Sequence, residues 1–100
     1  MKTQLRQPYR TFFGTLDNQH RIDIIEALSK EVMNVSSICK KTGYEQSTVS
    51  HSLQRLEHCG FVSVKQKGKE RIYTLNKDTI KPLIKLMNKH IKNHCSRICH

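Results

Sequence analysis

Apolar residues in the first third of the chain recur at helical spacing. A first helix is predicted from residues three or four positions apart: Leu5, Tyr9, Phe12, Phe13 and Leu16. Pro8 predicts that this helix begins close by, because proline is tolerated in a first turn. A second helix is predicted after Asp17, which can cap it, with a buried stripe formed by Ile22, Ile25, Leu28 and Val32.

Residues 35–60 predict two short helices separated by the tight turn Thr42-Gly43-Tyr44. Gly43 is the residue type that tolerates a left-handed backbone at a helix end. In the second helix, an apolar face toward the body is predicted from the i, i+4 and i+7 spacing of Val49, Leu53 and Leu56. The opposite face therefore carries Ser47, His51, Gln54, Arg55 and His58.

Beyond Gly60 the pattern becomes β-like and then helical again. The runs "FVSVKQ" and "RIYTLN" flank Lys67-Gly68-Lys69-Glu70, which predicts a hairpin with a basic tip. From Thr79 onward an apolar helix face is predicted from Ile80, Leu83, Ile84, Met87, Ile91, Cys95 and Ile98. Lysines occupy most of the remaining surface of this last helix.

Helix, glycine turn, helix and basic hairpin together indicate a mainly α fold with a small β-hairpin, the winged helix-turn-helix. We expect one domain over residues 1–100, with a DNA-reading helix at about 46–58, a wing at about 61–76 and a C-terminal helix at about 79–97. The surplus apolar stripe of the last helix favours a homodimer formed by the first and last helices. The alternative is that the last helix folds back on the first helix of its own chain. The predicted interface residues are Phe12, Phe13, Ile80, Ile84, Met87, Ile91 and Cys95.

Charge identifies the class of partner. The chain has 100 residues, and its 18 Lys and Arg against 8 Asp and Glu give a formal charge of +10, which attracts polyanions. Double-stranded DNA is the favoured partner, and a generic basic surface or a membrane-surface protein is the alternative. No apolar run is long enough to span a bilayer and the N-terminus lacks a secretion signal. We therefore expect a cytoplasmic protein with no membrane partner, whose cysteines are thiols or ligands instead of structural disulfides.

The DNA-contacting side chains are predicted from two neighbouring groups. From Gln46 to Leu56 the polar residues are uncharged or basic, with no acid among them. Hydroxyls bond phosphates, while His51, Gln54 and Arg55 are long enough to reach base edges or neighbouring phosphates. Gln54 and Arg55 are expected to read bases. The predicted contacts are Ser47, Thr48, Ser50, His51, Gln54 and Arg55 in the helix, and Lys65, Lys67, Lys69 and Arg71 in the wing. The alternative for each is an ordinary solvated helix face.

The segment "STVSHSLQRLEHCGFVSVKQKGKERIYTL" resembles the ArsR/SmtB family of winged-helix repressors. The resemblance rests on the Ser-x-x-Ser-His pattern at Ser47, Ser50 and His51, and on the residues Leu53, Leu56, Gly60 and Tyr73 to Leu75. The resemblance implies a homodimeric repressor on a near-palindromic operator, often released by a metal ion or an oxidant.

The sensor sites that the resemblance implies are absent at two places. Asn34 and Ser36 stand where a cysteine pair is expected, with only Cys39 nearby. At the four positions of a site between the last helices stand Lys77, Thr79, His90 and Asn93, of which one is a matching ligand.

The end of the chain offers another candidate: His90, His94, Cys95, Cys99 and His100. These thiols and imidazoles suit Zn(II) or another thiophilic ion, or the cysteines could be oxidised. Two alternatives stay open: a winged-helix regulator that senses nothing, and a winged-helix module that binds an acidic protein or RNA. An enzyme is not expected, because the sequence has no glycine-rich phosphate loop and no nucleophile with an arranged base.

Overall fold

A computed structural model describes the backbone of residues 2–94 and the side chains of residues 7–94. The elements follow one another as α1 (Lys2–Leu16), α2 (Gln19–Lys30), α3 (Val35–Thr42), α4 (Gln46–His58), β1 (Val62–Lys67), β2 (Glu70–Leu75) and α5 (Ile80–His94). This is the predicted winged helix-turn-helix, mainly α with one hairpin. In the described part of the chain, no helix combines the length and the apolar character that a membrane span requires.

The boundary between α1 and α2 differs from the prediction. Pro8 lies inside α1 instead of in its first turn, because the helix already begins at Lys2. Asp17 does not cap α2: its own N–H still donates to the carbonyl oxygen of Phe13 at 2.9 Å and so continues the hydrogen bonding of α1. The cap is Asn18, whose side-chain oxygen accepts from the N–H of Arg21 at 3.1 Å.

The hydrophobic core lies between α2, α3, α4 and the inner face of the hairpin, where Ile24, Ile38, Val49 and Leu56 are fully buried. The buried stripe predicted for α2 is half right. Ile25 and Leu28 are buried as predicted, but Ile22 and Val32 are exposed. Val32 lies beyond the end of α2, so helical periodicity no longer directs its side chain inward.

Gly43 terminates α3 as predicted. Its φ is 80°, and its N–H donates to the carbonyl oxygen of Cys39 at 2.8 Å. The adjacent Tyr44 donates its hydroxyl to the carboxylate of Asp23 in α2, which ties the turn to the body. This hydrogen bond to an anion raises the pKa of Tyr44.

The hairpin is antiparallel, with Val62 opposite Leu75 and Lys67 opposite Glu70. Its base is held by two backbone hydrogen bonds between Met33 and Tyr73, at 2.8 and 3.2 Å. Further out, Asn34, the N-cap of α3, donates its amide to the Glu70 carboxylate at 3.2 Å. The wing is thus attached to the start of the helix-turn-helix at both its base and its tip.

α5 is only partly used by the core. Ile80 and Ile84 are buried within their own chain and pack in its core. Phe12 is half-buried against Phe61, with ring centroids 5.1 Å apart, and Met87 is also half-buried. Cys95 lies outside the described residues. Large apolar side chains that stay exposed on the two terminal helices are Tyr9 (63%), Phe13 (61%), Leu86 (64%) and Ile91 (48%).

Candidate nucleic-acid interface

The outer face of α4 is the centre of the candidate interface. Val49, Leu53 and Leu56 are 0 to 1% exposed, which confirms the predicted apolar face. The periodicity of the helix places the following polar side chains on the opposite side of α4, and all of them are exposed: Ser47, His51, Gln54 and His58.

His58 joins the candidates at this point. The sequence prediction placed it on the polar face but not among the DNA contacts. It lies one turn beyond Gln54 and two turns beyond His51, so the same helical spacing that selected those residues could have selected it.

The other predicted contacts in α4 flank this centre. Ser50 is exposed at one edge and Thr48 is half-buried at the other. Arg55 lies on the same side as Thr48, and its Nε donates to the hydroxyl of Thr15 in α1 at 3.3 Å. The guanidinium is therefore directed toward α1, at the border of the outer face and away from its middle.

Thr15 lies where the end of α1 contacts the end of α4. It is fully buried, and its hydroxyl donates to the carbonyl oxygen of Thr11 at 2.8 Å and lies 3.3 Å from the Sγ of Cys59. One buried hydroxyl thus links the C-terminal end of α1 to two successive turns at the end of α4. Local spacing along the sequence contains no signal for this contact.

The four basic side chains predicted to contact DNA from the wing do not all lie on one face of the hairpin. Strand alternation places Lys65 and Lys67 on the outer side, opposite to the buried Val62 and Tyr73. Arg71 lies on the other side, with its guanidinium carbon 5.9 Å from the centre of the Tyr73 ring. Lys69 follows Gly68 (φ 64°) in the turn between the strands. The wing therefore presents a basic tip with charges on both of its faces.

α4 and the wing are connected by a short, hydrogen-bonded turn. The N–H of Phe61 donates to the carbonyl oxygen of Leu56 at 2.9 Å, and Gly60 between them has a φ of 77°. Asn76, which follows β2, donates its own N–H to the carbonyl oxygen of Phe61 at 2.9 Å. The start and the end of the wing are therefore fixed to the last turn of α4.

The candidate ligand residues are only partly within the described chain. Cys39 and Cys59 are half-buried free thiols. The rings of His90 and His94 lie 4.8 Å apart and tilted by 35°, one turn apart on α5. Cys95, Cys99 and His100 lie outside the described residues. Among the residues that are described, no group of three or more His, Cys, Asp and Glu side chains could hold a metal ion.

Comparison with known proteins shows which regulators this chain is similar to. Residues 18–64, from the cap of α2 into β1, match the model of a family described as bacterial regulatory protein, arsR family. Nodulation protein NolR of Rhizobium meliloti is 29% identical over 69 residues, which are 69% of this chain and 57% of that protein. The match thus spans little more than half the length of this relative.

Two solved structures have the same fold over almost the whole chain. The first is the homodimeric winged helix-turn-helix DNA-binding domain of Mb0332 from Mycobacterium bovis, with a TM-score of 0.86 at 24% identity, covering 99% of this chain and 92% of that one. The second is Rv0081 of M. tuberculosis, with a TM-score of 0.86 at 27% identity, covering 96% and 97%. The family description is that of a regulator and not of an enzyme. The resemblance to the ArsR/SmtB family drawn from the sequence is confirmed, and the chain has the winged helix-turn-helix fold of these regulators.

Proposed function

We propose that the chain is a sequence-specific DNA-binding regulator of transcription that acts as a homodimeric repressor. The observation that carries the proposal is the outer face of α4: hydroxyl, amide and imidazole groups, exposed together, with no carboxylate between Gln46 and Leu56. A helix of this kind fits the major groove, which is about 12 Å wide. The absence of acids matters because a carboxylate at the surface would be repelled by the phosphates.

Position on the helix suggests separate roles for its residues. His51 and Gln54, at the middle of the outer face, are assigned to base edges, where an amide can bond adenine in a bidentate manner. Ser47, Thr48 and Ser50, in the first turns, are assigned to phosphates. Arg55, which Thr15 holds at the border, is assigned to the DNA backbone beside the groove.

The wing supplies the second contact. Lys69 at its tip, with Lys65, Lys67 and Arg71 on its two faces, is assigned to phosphates of the adjacent backbone. Each phosphate that is neutralised contributes about 0.9 to the slope of log K against log salt concentration. The wing therefore adds affinity without adding preference among sequences.

The dimer is proposed from the apolar residues that the core leaves uncovered. Tyr9 and Phe13 on α1 and Leu86 and Ile91 on α5 are all about half or more exposed. The M. bovis relative is homodimeric. Two copies joined through these helices would present their α4 helices to successive major grooves, about 34 Å apart, and so require a near-palindromic operator. A duplex covered in this way is closed to other proteins, which is the basis for proposing repression.

Selection from a random duplex library tests the DNA-reading part. We expect one enriched near-palindrome, and Gln54→Ala to lose about 1 to 3 kcal/mol of discrimination at one base pair of each half-site. Gln7→Ala, the same change at an exposed position of α1, is the matched control and leaves discrimination unchanged. If selection enriches no sequence, the alternative of a module for RNA or an acidic protein replaces this proposal.

The proposal also includes release of DNA when a metal ion binds or thiols oxidise at the C-terminal cluster. Its support is the His90 and His94 pair, which brings two imidazoles together on the side of α5 that also carries Leu86. Titration of an operator complex with Zn(II) and, separately, with peroxide tests this part. We expect affinity to fall, and the effect of zinc to disappear in His90→Ala/His94→Ala. Unchanged affinity under both treatments indicates the regulator without sensing.

A further inference from the structure

One face of α5 is uniformly basic. Its lysines lie four, four and three positions apart along the sequence, which places them within an arc of about 80° around the helix axis. We call them the lysine stripe: Lys81, Lys85, Lys89 and Lys92. The sequence of the helix contains no acidic residue, and three of the four lysines are exposed.

The lysine stripe does not serve the fold of the single chain. Like charges one turn apart on a helix repel each other, and solvated helices usually place carboxylates between such lysines. The buried residues Ile80 and Ile84 lie outside the arc of the stripe. In the single chain Lys85, Lys89 and Lys92 are exposed to solvent, and Lys81 is half-buried.

The basic surface extends from α5 toward the wing. An open groove of about 1260 Å³ crosses the outer face of the hairpin, and Lys65, Lys67 and Lys77 line it. Glu70 and Asp78 also line this groove, so its charge is mixed. The stretch without carboxylates is the helix that begins beyond it, at Ile80.

We propose that the lysine stripe binds the phosphate backbone of duplex DNA, as a second surface separate from α4. Successive lysines are about 6 Å apart along the axis and the whole stripe is about 16 Å long, so several phosphates can be neutralised at once. Lysine is a point charge that suits a phosphate but carries no forked donor for base recognition. Binding at the stripe is therefore independent of sequence.

Duplex DNA is chosen over other polyanions for two reasons. An anionic bilayer requires apolar side chains that insert beside the lysines, and the two that α5 leaves exposed, Leu86 and Ile91, are covered in the proposed dimer. The choice of DNA among nucleic acids rests on the proposed function, because duplex DNA is the polyanion that α4 is proposed to bind.

The test compares two pairs of substitutions that change the formal charge by the same amount. Lys85→Gln/Lys89→Gln removes the middle of the stripe, and Lys40→Gln/Lys41→Gln is the matched control. Lys40 and Lys41 are exposed at the end of α3 and belong neither to the stripe nor to the predicted DNA contacts. Binding of a fluorescent duplex of arbitrary sequence is measured by anisotropy at several salt concentrations.

For each phosphate that the stripe variant no longer neutralises, we expect the salt slope to fall by about 0.9 and the affinity to fall about 8-fold at about 0.1 M salt. The control pair should change affinity less than about 3-fold. Lys85→Arg/Lys89→Arg should bind like the parent, since a phosphate can be neutralised by the side chain of lysine or of arginine. Coincident thermal unfolding curves establish that the exposed substitutions leave the fold intact.

Equal decreases in affinity in the two double glutamine variants would show that affinity depends on the net charge of the protein and not on the position of the lysines. That result would overturn the inference. An unchanged salt slope in Lys85→Gln/Lys89→Gln would also overturn it. Weaker binding to phosphatidylserine vesicles with unchanged binding to DNA would assign the stripe to a membrane instead. In each case Gln54→Ala on the selected operator still tests the proposed function, so failure of the stripe is distinguishable from failure of α4.

Discussion

Replacement of Thr15 by valine tests the link between α1 and the reading helix. Valine has nearly the same shape, so Thr15→Val removes the buried hydroxyl without leaving a cavity. That hydroxyl interacts with the Thr11 carbonyl, the Cys59 thiol and the Arg55 guanidinium, and valine can replace none of these interactions. The substitution therefore measures what holds the end of α4 against α1.

The three interactions of the Thr15 hydroxyl differ in how much each contributes to the free energy of unfolding. The Thr11 carbonyl lies one helical turn before Thr15, and a back-bond of this kind adds little to helix stability. The Cys59 thiol is a weak partner. The bond from Arg55 is longer, at 3.3 Å, but its donor is charged and its acceptor is buried. Because exposed Arg55 can return to water, we expect a decrease in stability near 1 kcal/mol, within the range of about 0.5 to 1.5 kcal/mol for one net hydrogen bond.

Urea unfolding of Thr15→Val, Arg55→Met and the double variant, at one protein concentration, forms a double-mutant cycle. We expect a coupling energy of about 0.5 to 1 kcal/mol between the two positions. Thr11→Val is the control for the change of residue type on the same helix, at an exposed site, and should shift stability by less than about 0.5 kcal/mol. If the two substitutions are additive within about 0.3 kcal/mol, the bond does not contribute and the reasoning fails.

The same variant also tests the role assigned to Arg55. If Thr15 positions the guanidinium on the DNA backbone, Thr15→Val should weaken binding to all duplexes by the same factor. A change in base preference at one position would contradict the backbone assignment and favour a base contact for Arg55.

Three further predictions concern the helix-turn-helix. Asn18→Ala should lower the unfolding free energy by about 1 kcal/mol and Asp17→Ala by less than about 0.5, both by urea unfolding; equal decreases would contradict the cap at Asn18. Gly43→Ala should cost about 1 to 2 kcal/mol at its φ of 80°, and unchanged stability would contradict the left-handed turn. Tyr44→Phe should lower the melting temperature at neutral pH. Because the pKa of Tyr44 is raised, the native state favours the protonated phenol, so this stabilisation is present below the ordinary tyrosine value of about 10 and is lost as the pH rises through the raised pKa. A difference from the parent that persists at the highest pH would contradict the hydrogen bond to Asp23.

The pattern of the sequence determined the elements that depend on near neighbours. The spacing of Val49, Leu53 and Leu56 predicted which side of α4 is buried, and the two β-rich runs on either side of Gly68 predicted the hairpin. Gly43 marked the end of α3 because few other residues adopt its backbone conformation. These features follow from chain geometry over a few residues, which a single sequence contains.

Contacts between distant residues were decided only by the tertiary structure. Asp17 and Asn18 can both cap a helix, and the choice between them depended on how far α1 continued its own hydrogen bonds. On α5, Ile84 and Ile91 belong to the same apolar pattern, yet the core covers the first and leaves the second 48% exposed.

The orientation of Arg55 likewise comes from Thr15, a residue 40 positions away. Periodicity specifies which side of a helix is apolar. It does not specify which other element reaches that side, because this depends on how all the elements pack at once.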